Sequence, residues 1–353
     1  MYPRLVVNLN HYRDNVRQLK KKCHQSRLSM MAVSKSYCAL QPLIDVLNEE
    51  RVSYIADSRI MNLKDMKTSL PKVLLRLTSM SEVEDVLDHV NISFQSEIET
   101  IEALNAAAKK KNINHNIVLM IDVGDLREGH YYKDDVIPLL NGILACEQIT
   151  LIGLATNLTC YGGVIPTPQT LQKFVRLVDV IEHHIGRSLQ LISGGNSSHL
   201  HLLDTNINFP KINNLRLGEA LVLGRETAYG KALEYLHQDV VILETEIIEL
   251  KYKPSYPEGD IGMDAFGATP MIEDVGYHWR GILAIGRQDV DYHQLIPEDE
   301  GIRLLGSSSD HIIVDLSQSK QPYTIGDVLR FRLSYGSLLS TMTSPYVRKV
   351  YVE

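Results

Sequence analysis

The sequence predicts a parallel α/β protein, a (β/α)8 barrel, followed by a mostly β domain. Three observations carry this reading. Eight short apolar runs alternate with helical patterns over the first two-thirds of the 353 residues. Near residue 235 the helical patterns give way to alternating or apolar runs separated by turn residues. The chain is also long for a single core, so one large and one small domain are expected. We place the barrel at residues 1–234 and the β domain at residues 235–353. A doubly wound sheet is the runner-up, although it normally uses fewer strands.

The elements follow in order. Residues 12–23 read as an amphipathic helix ahead of the first barrel strand. The eight strand candidates are residues 30–34, 52–56, 73–77, 90–94, 117–121, 151–155, 189–192 and 214–217. The helix candidates between them are residues 40–50, 61–69, 81–88, 97–111, 134–146 and 168–185. Residues 97–111 (EIETIEALNAAAKKK) are the clearest, because acids lead and lysines trail, matching the helix dipole. Buried strands separated by helices are the pattern of parallel βα units. Beyond residue 235, strands are expected at 240–248, 281–285, 302–305, 312–316, 328–333 and 347–352, with turns such as Pro254-Ser255-Tyr256-Pro257-Glu258-Gly259.

Composition narrows the function classes. A formal net charge of -7 argues against a nucleic-acid partner. No run approaches the roughly 20 apolar residues of a membrane helix. The N-terminus Met1-Tyr2-Pro3-Arg4-Leu5 has no signal-peptide core. Cys23, Cys38, Cys146 and Cys160 form no C-x-x-C pair, and the histidines are scattered, with His183-His184 and His199-x-His201 lacking partner ligands. We therefore expect a cytoplasmic protein with reduced thiols, no metal and no membrane contact.

The chemistry begins at Lys35, which closes the first barrel strand in Ser29-Met30-Met31-Ala32-Val33-Ser34-Lys35. The carboxyl ends of barrel strands are where active sites form. An amine in a partly dry site sheds its proton more readily and can form a Schiff base with a carbonyl cofactor such as pyridoxal phosphate. A second signal is Ser193-Gly194-Gly195-Asn196-Ser197-Ser198 after the seventh strand, with Leu215-Arg216-Leu217-Gly218-Glu219 at the eighth. Small residues and hydroxyls there let backbone N–H groups approach an anion, and loops seven and eight form the usual phosphate site of such barrels.

These residues belong to longer stretches that resemble a known family. They are AVSKSYC around Lys35, DVGDLREG at 122–129, GLATNLTCYGG at 153–163, SGGNSS at 193–198 and LRLGEALVLGRET at 215–227. KPSYPEGDIGMDAFG at 253–267, AIGRQDVD at 284–291, LGSSSDHIIVDLS at 305–317 and LSYGSLLSTMTSPYV at 333–347 continue the series. The whole chain resembles the fold-type III, pyridoxal-phosphate-dependent alanine racemase superfamily, and within it the ornithine and broad-specificity amino-acid racemase branch. The resemblance implies a racemase of a free amino acid, plausibly a basic one such as ornithine, working as a homodimer with shared active sites. The alternative is an alanine or broad-specificity racemase.

It also implies roles. Lys35 matches the lysine that carries the cofactor and moves the α-proton. Arg216 matches an arginine facing the pyridine nitrogen, which a guanidinium leaves unprotonated. Arg127 matches an arginine near the phenolic oxygen, and Asn157 takes the place of a ring-stacking histidine. Ser197 with the N–H groups of Gly218 and Glu219 matches the phosphate cup, and Tyr335 matches a tyrosine that reaches the same phosphate. Structural alternatives stand beside these. Arg127 could sit in a solvated salt-bridge loop, Arg216 could pair with Glu219 or Glu226, Asn157 could be a turn residue, and Tyr335 could be a core aromatic on an apolar strand.

One departure matters. Where alanine racemases carry a catalytic tyrosine, this chain has Arg287, in Ile285-Gly286-Arg287-Gln288-Asp289. An arginine is a poor base near neutral pH. The second proton carrier is expected from the β domain, with Asp264 and His311 (beside Asp310) as candidates. An Asp310-His311 turn cap is the structural alternative, and Asp264 could instead hold the ammonium end of a basic substrate. A decarboxylase is disfavoured by Arg216 and by the absence of its late Cys-Glu/Asp motif. A non-catalytic carrier of the small-barrel type is disfavoured by the C-terminal extension.

Overall fold

The computed structural model describes residues 1–203, 205 and 210–353. They form two compact units, His11–His237 and a second made of Met1–Asn10 with Gln238–Glu353. The chain begins with β1 (Arg4–Asn8) and α1 (Leu9–Gln25). In α1, Tyr12, Val16, Leu19 and Cys23 are buried at helical spacing, which is why this stretch reads as amphipathic.

The first unit then alternates strand and helix: β2 (Ser29–Val33), α2 (Gln41–Glu49), β3 (Tyr54–Asp57), α3 (Ile60–Asp65), β4 (Lys72–Leu74), α4 (Val83–His89), β5 (Ile92–Gln95), α5 (Ile98–Lys111) and β6 (His115–Asp122). It continues with β7 (His130–Tyr131), α6 (Ile137–Leu144), β8 (Ile149–Thr156), α7 (Pro168–Ile185), β9 (Leu191–Ser193), β10 (Asn214–Leu217) and α8 (Glu219–Leu223). The strand order is β5-β4-β3-β2-β10-β9-β8-β6, and β5 pairs with β6 to close the barrel, while the short β7 lies outside on β6. Neighbours around the ring are parallel. This is the (β/α)8 barrel expected from the sequence. Strands buried on both faces read as continuous apolar runs, and Met31, Val33, Ala56, Val73, Phe94, Val118, Met120 and Leu191 fill its interior.

Local signals place the ends of α7 well. Thr167 caps it with a reciprocal capping box to Thr170, Pro168 occupies its first turn, and Gly186 ends it at φ 68. The predicted and observed ranges agree there, at residues 168–185. They also agree for β10.

The second unit contains β11 (Val241–Pro254), β12 (Tyr277–Leu283), β13 (Leu295–Pro297), β14 (Arg303–Ser307), β15 (Ile312–Asp315), β16 (Val328–Leu333), α9 (Tyr335–Thr343) and β17 (Arg348–Val352). Its order is β13-β16-β11-β12-β15-β14. Here β1 takes its place, antiparallel to β11 and parallel to β17, with Leu5 opposite both Leu243 and Lys349. The sequence reading left these first residues with the barrel, because a run of three apolar residues carries no sign of its distant partners. No helix among the described residues is long and apolar enough to cross a membrane.

Candidate active site

The carboxyl end of the barrel gathers the polar residues. After β2, Ser34 leads into a single 3-10 turn, Lys35–Tyr37, followed by Cys38 and Ala39 at φ 51 and 50. Lys35 is exposed, while Ser34, Ser36 and Tyr37 on either side are buried. Ser34 Oγ donates to Asp57 Oδ2 at 2.6 Å, and Asp57 accepts from Arg59 N at 2.9 Å and Asn62 Nδ2 at 3.1 Å. Register dictates this contact, since Val33 is opposite Ala56 and the next residues are Ser34 and Asp57. Burial raises the Asp57 carboxyl, and the three donors pull it back. Tyr37 shares a 2.8 Å hydrogen bond with Tyr12, and burial raises both phenols. Sequence reasoning missed Asp57. The signal was available once β2 and β3 were taken as neighbours.

Arg216 sits in β10 beside β2, opposite Met31. It is buried, and its guanidinium lies 5.6 Å over the Phe94 ring inside the barrel. Nη1 donates to Ser193 Oγ at 2.7 Å, and Nη2 donates to Thr156 O at 2.7 Å and Asn157 Oδ1 at 3.2 Å. The structure therefore does not pair Arg216 with Glu219 or Glu226. Glu219 binds Arg225 at 2.7 Å, and Glu226 accepts backbone N–H groups from Ala228, Tyr229 and Lys231. Burial pushes the Arg216 guanidinium down to about 10, with Glu128 raising it and Arg127 lowering it, so it stays charged at neutral pH.

Those last two residues belong to the loop after β6. Asp125, buried, accepts from Tyr161 N at 3.0 Å and Val164 N at 2.9 Å, fastening this loop to the one after β8. Gly162 permits the approach, since a Cβ there would lie 2.5 Å from Asp125 O. Arg127 itself is exposed, pairs with Glu128 and lies 2.9 Å from Cys160 Sγ. The salt-bridge loop describes it, and its charge also reaches Arg216. Asn157 is more than a turn residue, because its Oδ1 also accepts from Asn196 Nδ2 at 2.9 Å.

At the ends of β9 and β10, Ser197 Oγ accepts from Ala220 N at 3.3 Å, which leaves its own proton available to donate. Gly218 lets the segment after β10 approach the end of β2, since a Cβ would meet Val33 Cβ at 3.1 Å. Burial raises the Glu219 carboxyl, while Arg225 and Lys35 draw it down. Lys35, Ser197, Arg216, Gly218 and Glu219 thus share the rim formed by β2, β9 and β10.

The remaining candidates lie in the second unit. Asp264 occupies an exposed turn and accepts from Phe266 N and Ala268 N, each at 2.9 Å. The Ala268 and Phe266 N–H groups, helped by Arg287, hold its carboxyl below the usual range. The Arg287 guanidinium lies 4.2 Å over the Phe266 ring. Arg287 N donates to Ser308 O at 2.9 Å, and Ser308 N to His311 O at 2.8 Å, so the Arg287 turn rests on the tip of the β14–β15 hairpin. A Cβ on Gly286 would lie 2.4 Å from His311 N, which is why that position is glycine. Asp264, Arg287 and His311 therefore occupy one corner of this unit. His311 is exposed at the hairpin tip, and its backbone N–H donates to Ser308 Oγ at 3.2 Å. Tyr335 is not on a strand: β16 ends at Leu333, and Tyr335 opens α9 half-buried. Its small neighbours Gly336 and Ser337 obscured a helix start.

The family described as alanine racemase, N-terminal domain, matches residues 7–226. The chain belongs to the alanine racemase family. This is a family of pyridoxal-phosphate-dependent racemases, so the chain is an isomerase with that cofactor. It is 44% identical over 352 residues to an ornithine racemase of Acetoanaerobium sticklandii, covering 99% of each chain. It is 35% identical over 354 residues to a lysine racemase of Thermotoga maritima, again covering 99% of each. Among solved structures, an alanine racemase from Bartonella henselae with covalently bound pyridoxal phosphate matches with a TM-score of 0.74 at 17% identity, covering 100% of both chains. That likeness extends the fold to both units.

The residues present fit the cofactor. Ser36 Oγ, Thr156 Oγ1 and Ser198 Oγ are buried without a hydrogen-bond partner among the described residues. All three lie at or just beyond the carboxyl ends of β2, β8 and β9. Buried hydroxyls left unpaired are costly, so a polar group at this rim would relieve them.

Proposed function

We propose that the protein racemises a free basic amino acid of the ornithine or lysine kind, with the site at the carboxyl rim of the barrel. The observation that carries the site is Arg216: a buried guanidinium fixed by Ser193, Thr156 and Asn157, on the strand paired with the one that Lys35 follows. The substrate class rests on the ornithine and lysine racemases that this chain resembles along its full length.

In this reading Lys35 would hold the cofactor through its carbonyl carbon, Ser197 and the N–H groups of Gly218 and Glu219 would hold its phosphate, and Arg216 would serve the ring nitrogen. Arg127 would serve the phenolic oxygen, Asn157 would support the ring, and Tyr335 would add a hydroxyl to the phosphate. The bound cofactor supplies an electron sink that acidifies the substrate α-proton. Lys35 takes or returns that proton on one side, and a second group must serve the other. His311 suits this better than Asp264, because a neutral imidazole carries one nitrogen that donates a proton and one that accepts it. A carboxylate held low by backbone N–H groups is suited to binding an ammonium group, and Asp264 takes that role.

The second unit would reach the site from a partner chain in a cytoplasmic homodimer. Supporting this, Tyr252, Tyr277 and Trp279 stand in ring contact on the second unit and are 58%, 63% and 49% exposed. Chiral chromatography of an amino-acid panel incubated in deuterated solvent tests the activity. Ornithine and lysine should racemise fastest with deuterium at the α-carbon, and inertness toward every basic amino acid rejects the proposal. His311→Ala should slow α-proton exchange from one enantiomer more than from the other, and equal slowing would assign His311 to binding.

A further inference from the structure

At the opposite, amino end of the barrel lies a cavity of about 910 Å³ with no part in the reading above. Its floor includes Ser29, Tyr54 and Leu191, the first residues of β2 and β3 and of β9. Its wall is basic: Arg17, Lys20, Lys21 and His24 from α1, and Arg27 just beyond it. Among the described residues, Glu50 is the one acid lining it. Counting Arg17, Lys20, Lys21 and Arg27 against Glu50 gives a local charge of 4 - 1 = +3 on a chain of formal charge -7.

Glu50 neutralises Arg17 alone in this wall, which also has Asp14 at 4.0 Å, and leaves Lys20, Lys21 and Arg27 as the three uncompensated charges. Its carboxylate is taken by Arg17 at 2.9 Å, with Arg13 at 3.7 Å, and its backbone carbonyl accepts from Lys20 Nζ. Among the described residues, the side chains of Lys21 and Arg27 meet no acid. Helix-dipole complementarity explains cations in the last turn of α1. It does not explain Arg17 and Lys20 further up, or Arg27 beyond the end. Arg17 and Lys20 are three apart, and Arg17 and Lys21 four apart, so they stand together on one face and repel. Like charges at these spacings cost the isolated helix stability. A bound anion would reverse that cost.

We propose that this cavity binds a small, multiply charged oxyanion. The volume falls within the ordinary range of small-molecule sites. Three unneutralised positive charges on one wall favour a ligand with three or more negative charges over a monoanion such as a free carboxylate. Oligophosphates and tricarboxylates share that chemistry.

The test is calorimetric titration of the holoenzyme, whose own phosphate cup is filled, with inorganic triphosphate in one arm and citrate in the other. Saturable binding of one ion per chain is expected. Lys21→Glu and Arg27→Glu should each weaken it at least tenfold, and raising salt from about 50 to 200 mM should weaken it several-fold. Both side chains are exposed, and Lys21→Ala provides a milder variant should a reversal disturb folding. Tighter binding of triphosphate assigns the site to oligophosphates, and tighter binding of citrate assigns it to polycarboxylates. Absence of saturable binding by either ion overturns the proposal, as does binding that the variants leave unchanged. Since the readout is binding at the amino end, its failure would leave the racemase reading intact.

Discussion

At the carboxyl end of the barrel, the Arg216 guanidinium is buried and held by three acceptor residues, Ser193, Thr156 and Asn157. At the amino end, Arg17, Lys20, Lys21 and Arg27 stand exposed around an open cavity. The first arrangement fixes one charge in a low-dielectric setting, where its direction matters as much as its sign. The second offers a field without fixed geometry, which salt screens. A reacting ligand needs the former, because the position of its ring nitrogen and α-carbon decides the chemistry. A ligand recognised by charge alone needs only the latter.

The largest test of this contrast is Lys35→Ala. Loss of the covalent anchor and of one proton carrier should lower racemisation at least ~10⁴-fold, measured as the appearance of the opposite enantiomer. A loss of less than about tenfold would remove Lys35 from the chemistry. Next is Arg216→Glu. It sets a carboxylate against acceptors that were bonded to a guanidinium, so a stability loss of roughly 3–5 kcal/mol is expected in denaturant titrations. Racemisation should slow and transamination by-products rise, and full activity without by-products would break the assignment.

A smaller effect comes from two buried histidines, one at each end of the barrel. His115 is buried at the amino end of β6, 2.8 Å from Ser93 Oγ, and burial lowers it to about 4. His199, buried after β9, is lowered to about 4 as well. In the unfolded chain a histidine titrates near ~6.5. Between about 6.5 and 4 the unfolded state therefore binds more protons, and stability falls as pH falls. The loss at pH 5 should be roughly 2 kcal/mol per histidine. Melting curves at pH 7 and pH 5 measure it, and His115→Gln should flatten the slope by about half. The smallest expected effect is Lys21→Glu on racemisation. A rate within about twofold of the parent keeps the two ends independent, and a larger change would couple them.

The barrel was legible because its strands are buried on both faces, so each appears as an apolar run even without alternation. The β6 segment Ile117–Ile121 is the plainest, and the observed strand extends it to His115 and Asp122. The rim residues Lys35, Ser197 and Arg216 were legible from their positions at strand ends. Asp57 and Asp125 were not, because each acts through a contact that chain order alone does not specify. Tyr335 misled for a different reason: Leu333-Ser334-Tyr335 continues an apolar strand pattern, Ser334 is itself extended, and only the start of α9 at Tyr335 ends it. The β1 strand could not be assigned at all from its own five residues, since its partners lie near the other end of the chain.

That last pairing has a consequence in time. With β1 seated between β11 and β17, the N-terminal and C-terminal segments of the chain complete the same sheet. At a synthesis rate of about 5–20 residues per second, β1 waits roughly tens of seconds for Arg348–Val352 to be made. The barrel, whose segments all lie between, can assemble from completed neighbours in the meantime. The sheet of the second unit closes last, with a high contact order and a slow final step. Deleting residues 348–352 should therefore strand the first-made segment as well as the last, leaving a protease-sensitive N-terminus on an otherwise folded barrel.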